Sequence, residues 1–315
     1  HTPVTSVDTS SEALAVSMGE KACIDMEYMC QLSGKTEEEI FADLKGVIFL
    51  NPMYGYGNST EAKYLMADEY LSGNVREKLA WAKKSAQLSS EEYSINVEAL
   101  QKVQPKDLTA SEISVRLGAT WLPPEIVEQF VFEFLGTPRY AQWNIKIHFS
   151  EYTGEWNIEG KSYDRGNVKA YSTYGTSRIN AYKIIEETLN LKDVRIFDYE
   201  EDADGKKKAI LNKKETAIAQ AKQELIKQGF QDWIWSDPER RERLCKLYNE
   251  KFNSIRPREY DGSHITFNGM NPEIELREHQ RNAVAHILYG GNTLLAHAVG
   301  AGKTFEMTAA AMESK

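Results

Sequence analysis

The stretch Asn292-Thr-Leu-Leu-Ala-His-Ala-Val-Gly-Ala-Gly-Lys-Thr304 reads as a short apolar strand, a glycine turn, then a helix over 305–312 opened by lysine and threonine. Each part has a physical reason. Gly300 and Gly302, with Ala301 between them, let the backbone fold tightly so that its N–H groups converge on phosphate oxygens. The helix N-terminus directly behind adds the favourable end of its dipole. In that arrangement Lys303 reaches the terminal phosphates of a nucleotide, and the Thr304 hydroxyl holds magnesium. The expected cofactors are ATP and Mg2+. The strict eight-residue phosphate-loop pattern has glycine at position 297, where this chain has His297; the shorter G-x-G-K-T form behind an apolar strand does not require it.

A second feature lies upstream. Leu276-Arg277-Glu278-His279-Gln280 begins an amphipathic helix over 280–288, and the loop lysine follows Gln280 by 23 residues. A glutamine amide can recognise adenine through paired hydrogen bonds. Gln280 is thus a candidate base reader beside a phosphate loop.

On these residues, 276–315 resembles the opening of the first RecA-like domain of superfamily-two helicases of Swi/Snf or DEAD/DEAH type. The stretches VQPKDLTASEISVRLGATWLPPEIVEQF (103–130), YNEKFNSIRPREYDGSH (248–264) and LREHQRNAVAHILYGGNTLLAHAVGAGKTFEM (276–307) are similar to very large helicase-related proteins of bacterial conjugative elements and phages. Those proteins often carry an adenine-specific DNA methylase domain ahead of the helicase. The resemblance covers most of the chain. It implies an ATP-dependent DNA helicase or translocase, with Gln280 on adenine, Lys303 on the phosphates and Thr304 on magnesium. It also implies further helicase lobes and a methylase domain as partners in the same polypeptide. A complete motor needs an acidic strand that holds magnesium and positions water, and an arginine finger. Only eleven residues follow Thr304, so the expectation is a fragment, cut from something longer, that does not hydrolyse ATP alone and has no catalytic residue to name. The competing class is a non-enzymatic DNA-docking or scaffold region of a helicase–methylase fusion.

Composition sets outer bounds. The 315 residues are 41% hydrophobic and 27% charged, as in a soluble globular protein. No run of eighteen apolar residues could span a membrane, and no basic stretch before an apolar core marks a secretory signal. Cys23, Cys30 and Cys245 form no CxxC pair, and the six histidines show no metal-ligand spacing, which suggests free thiols in a reducing cytoplasm and no metal centre of that kind. The net charge is −9, and residues 1–110 hold 17 acidic against 10 basic side chains. Nucleic acid must therefore meet a patch and not the whole surface.

The pattern along the chain is α+β: predominantly helical with a small antiparallel sheet, ending in the truncated start of a RecA-like P-loop domain. Residues 1–110 read as a helical region. Within it, helices over 11–45, the Ser33-Gly34 turn, the Thr36 cap and the strand 46–50 outline a winged helix. Its second helix opens on Glu37-Glu38-Glu39, which makes it a poor DNA reader. Helices are expected over 64–86 and 93–103. Residues 111–212 read as an α+β module: a short helix from Thr109 or Ser111 to Gly118, a helix over 125–135, and strands over 143–149 and 156–159. A third strand over 168–171, a helix over 179–189 and a hairpin of 194–199 with 209–211 complete it. Residues 213–254 read as a helical pair whose second member starts at Asp237-Pro238, 255–275 as a linker, and 276–315 as the RecA-like start.

Weaker signals remain. Lys206, Lys207, Lys208, Arg240 and Arg241 form basic clusters near Trp233 and Trp235, a candidate DNA surface. Trp121, Trp143 and Trp156 read as core, and His148 as a structural histidine on a strand. Asn51-Pro52-Met53-Tyr54 is similar to the Asn-Pro-Pro-Tyr signature of adenine methylases but lacks the second proline and a glycine-rich cofactor loop before it; a turn after the wing strand is the better reading.

Overall fold

The computed structural model describes residues 4–56, 61–201, 207–267, 270–271, 273–290 and 292–314. The fold is α+β. Helix predominates, and among the described residues the strands form four separate two-stranded antiparallel sheets. The chain divides into two compact units, His1–Lys106 with Ser254–Lys315, and Asp107–Asn253.

In the first unit, α1 (Ser10–Lys21), α2 (Met26–Ser33) and α3 (Glu37–Asp43) begin at Thr9, Asp25 and Thr36, whose side chains accept backbone N–H groups. Glu12 and Glu39 return the bond and close two capping boxes. Strand β1 (Ile48–Leu50) pairs antiparallel with β2 (Tyr64–Met66). Alternation along β1 sends Ile48 into a core with Ala13, Leu14, Met29 and Ile40, and Phe49 into another with Tyr70, Val75, Ala82 and Leu100. This overturns the single helix expected over 64–86. Residues 64–66 pair with β1, α4 spans Ala67–Tyr70, and β3 (Gly73–Asn74) turns through Gly73 at φ +71°. Asn74 then caps α5 (Val75–Leu88), and α6 (Ser90–Lys102) packs beside it.

The second unit holds α7 (Pro124–Leu135), α8 (Arg139–Gln142), the hairpin β4 (Lys146–Ser150) and β5 (Glu155–Glu159), and α9 (Ala181–Leu189). The hairpin β6 (Phe197–Glu201) and β7 (Lys207–Leu211) follows, then α10 (Lys213–Ile234) and α11 (Pro238–Phe252). Asp237 caps α11 and Pro238 occupies its first turn, as the sequence predicts. The turn expected at 202–205 lies outside the described residues. One core joins Phe130, Val131, Ile145, Ile158, Tyr182, Ile185, Ala219, Phe230 and Leu244, so the helices of 213–254 share it with 111–212.

Two local expectations fail in this unit. No helix forms over 109–118: Ile113, Val115 and Leu117 are buried in alternation, which is the period of extended chain. Residues Lys169–Thr173 form a π-helical turn in place of a third strand, because the Asn167 side chain accepts the Ala170 N–H at 3.2 Å and starts a helical turn. At the unit's two ends, the Asn249 side chain holds both the N–H (2.8 Å) and the C=O (2.9 Å) of Leu108.

Back in the first unit, β8 (Ile255–Arg256) pairs with β3, α12 spans Glu278–Gly290 and α13 spans Lys303–Glu313. The expected linker thus opens with a paired strand. Ser254 accepts the Val75 N–H, and Val75 C=O accepts the Gln104 amide, each at 3.0 Å. Leu276, Val284, Ala309 and Ala310 form the small core between α12 and α13.

Candidate functional site

The phosphate-loop motif sits between α12 and α13. Residues 292–298 alternate in exposure as extended chain does, yet no strand forms there, contrary to the expected strand–loop–helix. A strand exists through hydrogen bonds to a neighbour, and among the described residues none lies alongside. Leu294 and Val299 are consequently bare, at 88% and 100% exposure.

The turn itself needs its glycines. Gly300 and Gly302 have φ +86° and +90°, where a side chain is strained. At Gly302 a Cβ would also lie 2.2 Å from the Gln280 amide nitrogen. Gln280 is buried against the loop. Its Oε1 accepts the Arg277 N–H (3.0 Å), and its Nε2 donates to the Ala301 C=O (3.1 Å). His279 Nε2 donates to the same carbonyl at 3.1 Å. Lys303 folds inward, its ammonium on the carbonyls of His297 (2.8 Å) and Ala298 (3.0 Å).

These bonds orient the loop. In a trans peptide the N–H points opposite to the C=O. With the carbonyls of 297, 298 and 301 held by the protein's own donors, the N–H groups of Ala298, Val299 and Gly302 point the other way. Behind them α13 starts without a side-chain cap, as α4, α6, α7 and α8 also do. The Phe305 N–H already donates to the Gly302 carbonyl at 2.9 Å, so the N–H groups open to another acceptor are those of Lys303 and Thr304. Thr304 stands exposed in that turn.

Sequence reading missed the residues that brace the loop. Glu306 is fully buried; its Oε1 accepts from His297 Nδ1 at 2.8 Å, and its Oε2 has no partner among the described residues. His279 and His297 meet edge to face at 5.4 Å. The available signal was His297 itself, standing where the strict pattern has glycine.

The basic clusters fare differently. Arg240 is buried at 6% exposure, bonded to the carbonyls of Ile234 (3.1 Å) and Trp233 (2.6 Å) and lying 3.6 Å over the Trp233 ring. Its guanidinium closes the C-terminus of α10 and does not face solvent as a phosphate contact requires. Trp233 in turn donates to Glu133 at 2.6 Å and is not an open platform. Arg241 is exposed, with a long contact to the Trp235 carbonyl at 3.5 Å. Lys208 stands opposite Glu200 in the hairpin register, and Lys207 opposite Glu201. Lys206 lies outside the described residues. Trp156 is buried and Trp121 packs on the core, but Trp143 is 79% exposed and is not core. His148 is likewise exposed on β4.

Among the described residues no group of histidine, cysteine and carboxylate side chains could hold a metal ion, and no helix is long and apolar enough to cross a membrane. No curated protein and no solved structure matches the chain. Residues 116–254 match a family described as a domain of unknown function (DUF8437), which covers most of the second unit. Residues 6–61, comprising α1 to α3 and β1, match a family described as the winged helix domain of a probable helicase, and in that stretch the chain is helicase-related.

Proposed function

We propose that the loop 300–304 binds the phosphates of ATP, and that the chain belongs to the ATP-dependent DNA helicases or translocases. The observation that carries this reading is the orientation of the loop: three inward carbonyls, outward N–H groups and an uncapped helix start beside Lys303. These residues fit a polyphosphate. Lys303 would exchange two carbonyls for phosphate oxygens, and Gly302, Lys303 and Thr304 would offer backbone N–H groups. Thr304 supplies one hydroxyl for magnesium, whose role would be to neutralise phosphate charge. Gln280 would have to release Ala301 to read adenine; while bonded as it is, it positions the loop. Nucleotide binding without turnover is the activity expected of these residues alone, since hydrolysis needs carboxylates and an arginine finger from further lobes.

Titration of MgATP by calorimetry tests the reading. Binding is expected for the chain as it stands and should fall at least about tenfold in Lys303→Ala, which removes a charge-assisted contact of about 1.5–3 kcal/mol. Unchanged affinity in that variant would sink it. The winged-helix match at 6–61 supports a second reading, a non-enzymatic DNA-docking region of a helicase–methylase fusion. That reading predicts DNA binding that weakens with salt and is indifferent to Lys303→Ala.

A further inference from the structure

The second unit carries a set of large aromatic side chains that its core does not use. Tyr140 is 68% exposed, Trp143 79% and Tyr163 62%. They come together for local reasons. Tyr140 lies in α8 and Trp143 three residues on, at its C-terminal end, so one helical turn presents both. The Asn144 side chain bonds the Tyr140 carbonyl at 3.2 Å and fixes the turn. Across from it, a Cβ built at Gly160 would lie 2.1 Å from the Asn144 carbonyl and 3.2 Å from the Tyr163 ring, so Tyr163 closes over the same spot. Asn167 bonds the Leu135 carbonyl at 3.0 Å, and buried Tyr182 links Asp164 to Thr137 at 2.7 Å each, holding 160–169 along 135–144.

Cations border these rings. Among the described residues Arg139, Lys146 and Arg165 are exposed with no ion pair or hydrogen bond, and Lys169 donates to the Phe134 carbonyl at 3.4 Å. Two neighbouring carboxylates are accounted for: Asp164 is buried on Tyr182, and Glu186 holds Lys161 and Lys183. Glu159 stands opposite Lys146 in the hairpin register. In a protein of net charge −9 this is a local excess of positive charge beside open rings.

We propose that this face, with Tyr140, Trp143 and Tyr163 as stacking platforms and Arg139, Lys146 and Arg165 as phosphate contacts, docks single-stranded nucleic acid. Exposed rings stack on unpaired bases, and a duplex keeps its bases stacked on one another. The surface replaces Arg240, which the fold commits to the end of α10, and it does not depend on the loop at 300–304.

The test is fluorescence anisotropy with a labelled 20-mer oligothymidylate at 50 mM salt, with an oligouridylate and a duplex of equal length as separate arms. The full chain should bind a single strand, DNA or RNA as the arms decide, more tightly than the duplex. Trp143→Ala should weaken binding about five- to 150-fold, the range for one stacked base. Arg165→Ala should weaken it and flatten its salt dependence. Tyr152→Ala removes a 99% exposed tyrosine at the far end of the β4–β5 hairpin and should change nothing. Because Trp143 is exposed, an unchanged melting temperature in Trp143→Ala separates lost docking from lost fold. Absence of binding at 50 mM salt, equal binding of duplex, or Trp143→Ala within twofold of the parent each overturns the proposal.

Discussion

The unit 107–253 and the segment 276–314 both start from apolar chain beside helix, and they end in opposite states. In the first, Ile145, Ile147 and Ile158 of the β4–β5 hairpin are covered by α7 and α9. In the second, Leu294 and Val299 have nothing over them. The helix starts differ in the same way: the Asp237 side chain accepts the Arg240 N–H in the first turn of α11, while α13 opens on Gly302 with no side chain to receive one. Apolar pattern predicts where a chain can be buried, but burial itself requires a partner surface. The segment with the ligand motif keeps polar and apolar groups in reserve. The other unit has buried its hairpin under helices and keeps only its surface rings, such as Trp143, open.

That contrast can be broken first in the cores. Phe230 is fully buried against Phe130 and Trp233, so Phe230→Ala should lower unfolding stability by about 3–5 kcal/mol in urea titrations. Val284→Ala, in the small core of α12 and α13, should cost at most about 2 kcal/mol. Comparable losses would show that the two regions are equally well packed.

The next largest effect concerns Glu186. Burial raises its carboxyl, but bonds from Lys161, Lys183 and the Ile158 N–H outweigh that and hold it below the usual carboxylate range. A carboxyl depressed in the folded state stabilises above its unfolded pKa of about 4.3 and loses that contribution as pH falls through the lower folded value. Acid unfolding of the second unit should therefore begin below about pH 4.3, and Glu186→Gln should shrink that limb while Glu125 and Asp198, also held low, keep part of it. At neutral pH Glu186→Ala should cost about 2–3 kcal/mol, discounted because Lys161 and Lys183 stay partly in water.

Gly302→Ala comes third. Its positive φ and the clash with Gln280 should cost about 1–3 kcal/mol, felt locally as faster amide exchange at the start of α13. Adding Gln280→Ala should relieve the clash and leave the strain. The smallest effect runs the other way: Leu191 follows α9 with φ +57°, and Leu191→Gly should raise the melting temperature through a gain of about 0.5 kcal/mol.

What the sequence made legible follows from range. Caps are local, so Thr36 and Asp237 were readable from their own neighbours. The strand at 64–66 was not, because Tyr64-Leu65-Met66 has no strand signature and is extended only through pairing with β1. Trp143 was misassigned because composition cannot say which of three tryptophans faces water. At the loop, Gly302, Lys303 and Gln280 stood out by spacing. Glu306 did not, since its meaning comes from His297, nine residues back and across the turn.

One detail of the chain's path reaches beyond this protein's stability. Leu108 and Asn249 are tied together at the ends of one unit, while Gln104 and Ser254 meet on Val75 in the other. A domain whose ends touch can be lodged in a host whose cut ends also touch, at little more than the entropy of closing a short loop. The two family matches respect that seam: 6–61 falls in the host and 116–254 almost wholly in the guest. The 107–253 unit thus has the chain path of an inserted domain, and a short glycine–serine bridge from Lys106 to Ser254 should leave its host folded.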